Sequence, residues 1–204
     1  MKLYKSSEPN TFHYVTLVTY HRVPVFRSGV ACQLFVDVLR ETRELYPYKL
    51  VGYVLMPDHA HAIVNSRSGT ISDWLRRIRG NSARKILAWL RDEGHLSSLK
   101  KLALLHPQKR QHTHSVWQKD PSVIDLWSHK FIRQKLNYLH LNPVRAGLCQ
   151  HPAEWKWSSH RACLPHQPGE VPIEVDWQAY WKEEELEIGE QAGGSPPLNV
   201  VVVG

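Results

Sequence analysis

Residues 49–65, which read KLVGYVLMPDHAHAIVN, decide the fold of this chain. Two apolar runs, 49–56 and 59–65, stand on either side of Pro57 and Asp58. Proline presets a backbone angle that turns require, and aspartate bonds readily to nearby backbone groups. The stretch therefore predicts a β-hairpin whose two strands are joined by a tight turn.

Outward from this hairpin, the apolar pattern predicts a strand and two helices. Residues 12–20 (FHYVTLVTY) are β-branched and aromatic, which is typical of a strand. Residues 30–46 have apolar side chains at close to helical spacing, and Pro47 ends that helix. Residues 71–91 predict a basic amphipathic helix, with Gly80 as the point at which it would bend.

The second half of the chain is more polar. Residues 92–114 predict a loop, and 116–118 a short strand. Residues 128–141 predict a helix that Pro143 ends, and 176–187 a last helix. The order β-α-β-β-α-β is that of the ferredoxin-like, split βαβ fold. We therefore predict an α+β fold: an antiparallel sheet with helices on one face, and a C-terminal helical extension.

The charge is unevenly distributed. The chain carries a net charge of +7, with a pI of about 9.4. Residues 1–173 account for +13 and residues 174–204 for −6. A basic body favours polyanions, because binding them releases counterions. Nucleic acid is therefore a candidate partner, and a soluble protein with a basic surface is the alternative.

The cysteine pattern and the length of the apolar runs indicate the cellular compartment in which the protein works. Cys32, Cys149 and Cys163 form no CxxC pair. Neither a disulfide framework nor a thiolate zinc site is predicted, and we expect a reducing environment. No apolar run approaches 18 residues, and no signal peptide opens the chain. We expect a cytoplasmic protein.

The hairpin contains a candidate metal site at His59-Ala60-His61. Residues i and i+2 of a strand point to the same face, so both imidazoles would project together. That placement suits two ligands of one metal ion. The alternative is a pair of unrelated histidines in a hairpin.

Other histidine patterns are less informative. His112 and His114 have the same spacing, but they stand in a polar stretch that we interpret as a solvated loop. A histidine-triad hydrolase needs a third histidine where Ile63 stands. A metallo-β-lactamase-like site needs Asp-His where the chain has Ile63-Val64. Both classes are therefore excluded.

A second candidate group lies on the predicted helix over 128–141. Tyr138 and Asn142 are four residues apart and so share one helix face, with Gln134 one turn earlier. Asn142 precedes Pro143, which leaves its side chain free to reach outward at the helix end. The alternative is a core tyrosine followed by a helix-end asparagine.

The two groups in this order resemble a known family. LMPDHAH at 55–61, followed by YLHLNPVRAGL at 138–148, resembles the single-tyrosine HUH transposases, and among them the REP-associated tyrosine transposases. Smaller features agree: TLVTYHR at 16–22, VWQ at 116–118 and WKWSS at 155–159. The resemblance covers roughly residues 10–162.

The chain also departs from this family. Ala60 stands where the family usually has a bulky apolar residue between the histidines. Residues 119–130 (KDPSVIDLWSHK) have no match in the family pattern, nor has the acidic stretch after residue 173.

The resemblance implies a metal-dependent endonuclease and strand transferase that acts on single-stranded DNA at hairpin-forming repeats. His59, His61 and Asn142 would hold one divalent ion, Mg²⁺ or Mn²⁺. Tyr138 would attack the phosphodiester, forming a 5′-phosphotyrosine and releasing a 3′-OH. Two alternatives stay open: a domesticated protein that binds hairpin DNA without cutting it, and a metal-dependent phosphodiesterase that uses water as its nucleophile.

A monomer is favoured over a homodimer.

Basic residues are the candidate DNA contacts. The predicted set is Arg76, Arg77, Arg79, Arg84, Lys85 and Arg145. Trp74 or Trp89 could stack on bases. The alternative is a solvated helix face with both tryptophans in the core.

We divide the chain into a transposase-like HUH domain, residues 1–162, and an extension, residues 163–204. The extension contains an acidic segment at 174–190 and ends in GGSPPLNVVVVG. An acidic segment can occupy a basic groove and compete with DNA, so we expect it to regulate DNA access. A solvated tail that never touches the body is the alternative.

Overall fold

The fold is described by a computed structural model for residues 10–105, 113–163 and 171–177. Strands and helices follow in the predicted order. Their bounds are β1 Phe12–Val18, α1 Gly29–Leu45, β2 Lys49–Met56, β3 His59–Asn65, α2 Ile71–Asp92, α3 Leu96–Leu102, β4 Ser122–Leu126 and α4 His129–Arg145. None of the helices in these ranges is both long enough and apolar enough to cross a membrane.

The four strands form one antiparallel sheet in the order β2-β3-β1-β4. Helices α1 and α2 cover one face, where they pack on alternate residues of β3 such as Ala60 and Val64. This confirms the predicted ferredoxin-like fold. Helix α4 packs on the opposite face, where Leu136 and Leu139 contact a second cluster that includes Ile63. Because side chains alternate along a strand, His59 and His61 lie on the face that α4 covers.

Two predictions of local structure are wrong. Residues 96–102 form α3 instead of a loop, and Leu102 at its end is fully buried. Residues 116–118 do not form the fourth strand, which is β4. The Gln118 backbone N–H donates to the carbonyl of Val18, the last residue of β1. Residues 116–118 therefore lie at the end of β1 and cannot pair along its length.

Helix α4 continues beyond the predicted end. Pro143 lies inside it, and the helix ends at Arg145. Pro143 lacks the N–H that would donate to the Leu139 carbonyl, so the helix continues past it with one backbone hydrogen bond fewer. Gly147, at φ +68°, then terminates the helix as a C-terminal glycine. Helix α2 likewise passes through Gly80 as a single helix.

Part of the predicted extension packs on the domain. Ile173 lies in the core, and the Asp176 backbone N–H donates to the Leu50 carbonyl on the outer edge of β2. The Arg43 guanidinium donates to the Glu174 carbonyl. Beyond Trp177, the predicted helix and the rest of the acidic segment lie outside the described residues, as does His112.

A buried histidine, His140, and a half-buried histidine, His160, lie where α4 meets residues 158–160. The Nε2 of His140 is 2.8 Å from the Ser159 hydroxyl, and its ring lies 5.1 Å from that of His160. Burial, together with a smaller effect of a neighbouring histidine, lowers the pKa of His140 to about 3 and that of His160 to about 4. Both rings are therefore neutral in the folded protein at pH 7.

Mild acid should destabilise this fold. As the pH falls below about 6.5, the unfolded chain binds protons that the folded chain excludes, so stability present above that pH is lost towards about pH 3. Between pH 6.5 and 5, His140 alone should cost about 2 kcal/mol of unfolding free energy. Urea denaturation at the two pH values checks this. His140→Gln should flatten the pH dependence, whereas replacing the exposed His95 should not. An unfolding free energy independent of pH would contradict the prediction.

Candidate active site

The histidine pair lies on the sheet face that α4 covers. The rings of His59 and His61 are 4.8 Å apart between centroids and nearly perpendicular, at 79°. His61 is buried and pairs with Thr16 across the sheet, while the side chain of His59 is 19% exposed. The spacing in β3 thus places both imidazoles together with one of them open to solvent.

Each imidazole is oriented by a second side chain. The Nδ1 of His59 is 2.6 Å from an Asp58 carboxylate oxygen, and the Nδ1 of His61 is 2.9 Å from the Thr16 hydroxyl. These contacts leave the Nε2 atom of each ring for a metal ion. Histidine ligands in proteins are commonly held through their other nitrogen in this way.

The early segment TLVTYHR supports the turn between β2 and β3. The Thr19 hydroxyl donates to the Asp58 carbonyl at 2.8 Å, and the Arg22 guanidinium donates to the Asp58 carboxylate at 2.9 Å. Burial alone would raise the pKa of Asp58, but hydrogen bonds from His59 and Arg22 outweigh it and leave the pKa below its usual value. Asp58 therefore stays ionised beside His59.

The sequence interpretation treated Asp58 only as a turn residue and assigned no role to Thr16 or Arg22. The available signal was the position of Asp58 directly before the histidine pair. The contacts of Thr16 and Arg22 depend on strand pairing and on the turn, which spacing along the chain does not reveal.

The chemistry of the site fits a divalent cation. Burial, together with smaller effects of the charges of His59 and Lys135, lowers the pKa of His61 to about 3, so its ring is neutral at pH 7. A neutral imidazole is the form that binds metal. Within the described residues, no group of three or more His, Cys, Asp or Glu side chains is placed to hold a metal. Further ligands would therefore be an amide, a phosphate oxygen or water.

Helix α4 brings Tyr138 to the histidine pair of the same chain. Its ring centroid lies 6.4 Å from that of His61, and the residue is 42% exposed. Two cations flank the ring: the Lys135 ammonium at 5.7 Å and the Arg145 guanidinium at 4.9 Å from its centroid. An accessible phenol thus lies between two positive charges and beside two imidazoles.

A second tyrosine, Tyr14 on β1, forms the inner wall of this site. Its ring stacks on His61 at 5.2 Å and meets Tyr138 edge-on at 6.4 Å. Tyr14 is only 4% exposed, and burial raises the pKa of its phenol, with Tyr138 adding to the shift. Of these two phenols, Tyr138 is the one that a substrate can reach.

Asn142 lies one turn after Tyr138, as predicted. Its amide nitrogen donates to the Tyr138 carbonyl at 2.9 Å. This bond holds the side chain against its own helix, and the amide oxygen is the atom left for a metal ion. The structure therefore places Tyr138 near His61 and its neighbour His59. Asn142, by contrast, bonds to a carbonyl of its own helix.

Helix α2 lies across the sheet from Tyr138. Its basic side chains contact groups on that side: Arg76 with Asp73, Arg77 over Tyr46, Arg79 with the Gln118 and Lys119 carbonyls, and Lys85 with Glu41. Arg84 is exposed, and Trp74 is buried in the core. Of the six predicted DNA contacts, only Arg145 lies beside Tyr138. The contacts from α2 stay a prediction.

Comparison with known proteins finds transposases that are similar to this chain. Residues 8–99 match the family described as Transposase IS200 like. A protein of Haemophilus influenzae, itself a predicted REP-associated tyrosine transposase, is 25% identical over 156 residues, which are 73% of this chain and 80% of that protein. The resemblance stated from the motifs is thereby confirmed.

A solved structure shares the fold. The structure of a REP-associated tyrosine transposase bound to a REP hairpin superposes with a TM-score of 0.59 at 16% identity, covering 87% of this chain and 92% of that one. The match confirms the mixed α and β architecture around the four-stranded antiparallel sheet.

Proposed function

We propose, from the match of residues 8–99 to the IS200-like transposases, that this chain is a metal-dependent transposase that cuts and rejoins single-stranded DNA through Tyr138. One observation carries the proposal: the exposed Tyr138 ring lies 6.4 Å from the His61 ring of the same chain, between Lys135 and Arg145. An accessible nucleophile beside paired imidazoles and two cations suits attack on a phosphodiester.

In this mechanism the Tyr138 oxygen attacks phosphorus and forms a bond to it. The bond from phosphorus to the 3′ oxygen of the preceding nucleotide breaks, and the phenol proton ends on that oxygen. The products are a 5′-phosphotyrosine and a free 3′-OH. A 3′-OH can later reverse the step, so strands can be rejoined without an external energy source.

Lys135 and Arg145 would assist both reactants. A phenol is a weak nucleophile at pH 7, and nearby positive charge favours its phenolate. The same charges attract the phosphate and stabilise the negative charge that develops on it. Because both residues lie on α4 with Tyr138, one helix presents the nucleophile and its counter-charges together.

His59 and His61, with Asn142 as the third candidate ligand, would hold Mg²⁺ or Mn²⁺. The ion would supply Lewis acidity to the scissile phosphate. Asp58 and Thr16 would keep each Nδ1 occupied, which leaves both Nε2 atoms available to the ion. This chain contributes the positive charges beside Tyr138 and the groups that orient the two imidazole rings.

The proposed substrate is a DNA hairpin with single-stranded flanks. The solved transposase of similar fold is bound to a REP hairpin, and we extend that substrate class to this chain. One chain supplies both the tyrosine and the histidines, which supports a monomer acting on its own substrate. A DNA substrate also implies a cytoplasmic protein.

The alternative function is a protein that binds hairpin DNA without cutting it. Incubation with labelled hairpin DNA and Mn²⁺, followed by denaturing electrophoresis, separates the possibilities. A covalent protein–DNA adduct is expected. Cleavage without an adduct would indicate a water nucleophile, and binding without cleavage would indicate the DNA-binding protein.

A further inference from the structure

Helix α4 has a second feature besides the groups that the proposed chemistry uses. It carries Lys130 and Arg133 as well as Lys135 and Arg145, and it has no acidic residue. Directly before it stands Trp127, which is 80% exposed. A large aromatic side chain is therefore exposed beside a helix whose charged residues are all basic.

Aromatic and cationic groups connect Trp127 to the candidate active site. The Trp127 ring lies 4.8 Å from Phe131, whose ring is 5.5 Å from the Lys135 ammonium. The same ammonium is 5.7 Å from the Tyr138 ring. These residues recur every three or four positions, so they follow one side of α4 from its beginning to Tyr138.

The backbone on both sides of Trp127 is fixed. Leu126 before it pairs with Phe12 in the sheet, and the Ser128 hydroxyl after it accepts from the Phe131 backbone N–H and caps α4. Phe131 in turn packs against the second core cluster. The indole therefore projects from a rigid position, which reduces the entropy lost when a ligand stacks on it.

We propose that Trp127 and Phe131 form a base-stacking subsite for the single-stranded DNA that flanks the cleaved phosphate. The inference rests on the proposed function and extends it to how the flanking strand is held. Bases stack on exposed aromatic rings without regard to sequence, while the backbone follows neighbouring cations. Here Trp127 and Phe131 would take bases, and Lys135 would take the intervening phosphate on the way to Tyr138.

Charge selects this occupant over another protein. A second copy of the chain would bring its own basic α4 or its +13 body against the same cations. A single strand of DNA offers phosphates to the lysine and aromatic faces to Trp127 at once. The line of contacts also leads directly to the candidate nucleophile.

The test measures binding in a Tyr138→Phe background, where cleavage by this tyrosine cannot interfere. Fluorescence anisotropy compares labelled dT20 with a 20-mer of the same backbone that is wholly abasic. Trp127→Ala should weaken binding to dT20 about tenfold and leave binding to the abasic strand unchanged. Trp127→Phe should retain most of the affinity. Leu45→Ala, which removes a 73% exposed apolar side chain from α1 on the other side of the sheet, is the control and should have no effect.

Three outcomes would overturn the inference. One is equal dT20 affinity with and without Trp127, and another is an equal loss on both strands, both with folding verified by circular dichroism. The third is a dimer that light scattering detects in the unchanged protein and that Trp127→Ala dissociates. A missing covalent adduct would instead remove the proposed function, because the anisotropy comparison does not depend on cleavage.

Discussion

Tyr138→Phe is expected to abolish the covalent protein–DNA adduct while leaving DNA affinity nearly unchanged. The substitution removes one oxygen, which is the atom proposed to bond to phosphorus. The residue is 42% exposed, so the loss of its hydroxyl should not disturb packing. Phosphate contacts from neighbouring cations should carry the affinity. Denaturing electrophoresis with labelled hairpin DNA measures the adduct, and anisotropy measures binding.

Tyr14 offers a matched control. Both tyrosines lie beside the His61 ring, but Tyr14 is buried and burial raises the pKa of its phenol. Tyr14→Phe should therefore keep most of the adduct formation. An adduct of normal yield from Tyr138→Phe would remove Tyr138 from the mechanism, and its loss only in Tyr14→Phe would transfer the role to Tyr14.

The second large effect is expected at the histidine pair. His59→Ala and His61→Ala should each lower adduct formation by at least about a hundredfold. Removing even a side chain that only orients a metal ligand costs about 10- to 100-fold at metal sites. EDTA should reproduce the loss in the unchanged protein. Asn142→Ala should have a milder effect, since water can replace a neutral amide ligand. Titration calorimetry with Mn²⁺ gives a readout that is independent of DNA.

His114→Ala is the control for this prediction, because it removes a histidine with the same sequence spacing from a different part of the chain. It should leave adduct formation and Mn²⁺ binding unchanged. Full activity in the presence of EDTA, or in either variant of the pair, would argue against a metal at His59 and His61.

Local signals made the central hairpin predictable from the sequence. The turn at Pro57-Asp58 and the strands over 49–56 and 59–65 were predicted with the bounds that the structure has. Each signal acts over a few residues: a preset proline angle, an aspartate that bonds to nearby backbone, and runs of β-branched side chains. The i, i+2 placement of the two histidines follows from the same local geometry.

Features that depend on distant packing were not predictable. The wrong strand was assigned at 116–118 because Trp117 has strand-like neighbours, while pairing along β1 selects residues 122–126. The face of the sheet on which a helix packs is also a long-range property. Charge alone therefore indicated α2 as the DNA-binding helix, whereas α4 is the helix that carries Tyr138.

The sequence predicts which residues belong to the site, but it does not predict how their side chains contact one another. The motif around Tyr138 indicated a nucleophile four residues from Asn142, and the structure adds the cation Lys135 one turn before it. Lysine three residues before a tyrosine has no specificity as a pattern. Its position becomes informative only when α4 packs against the strand that carries His61.

The packing of residues 171–177 has a consequence for aggregation. They lie, with residues 157–159, along the outer edge of β2. The Asp176 backbone N–H donates to the Leu50 carbonyl, the Leu50 N–H donates to the Asp176 carboxylate, and the Leu55 N–H donates to the Trp157 carbonyl. An uncovered edge strand presents unpaired N–H and C=O groups on which another chain can add a strand. A protein shortened before residue 171 would expose the part of this edge at Leu50, together with the apolar surface that Ile173 covers. We therefore expect such a protein to self-associate through its sheets, whereas a deletion that begins at residue 178 keeps the edge covered.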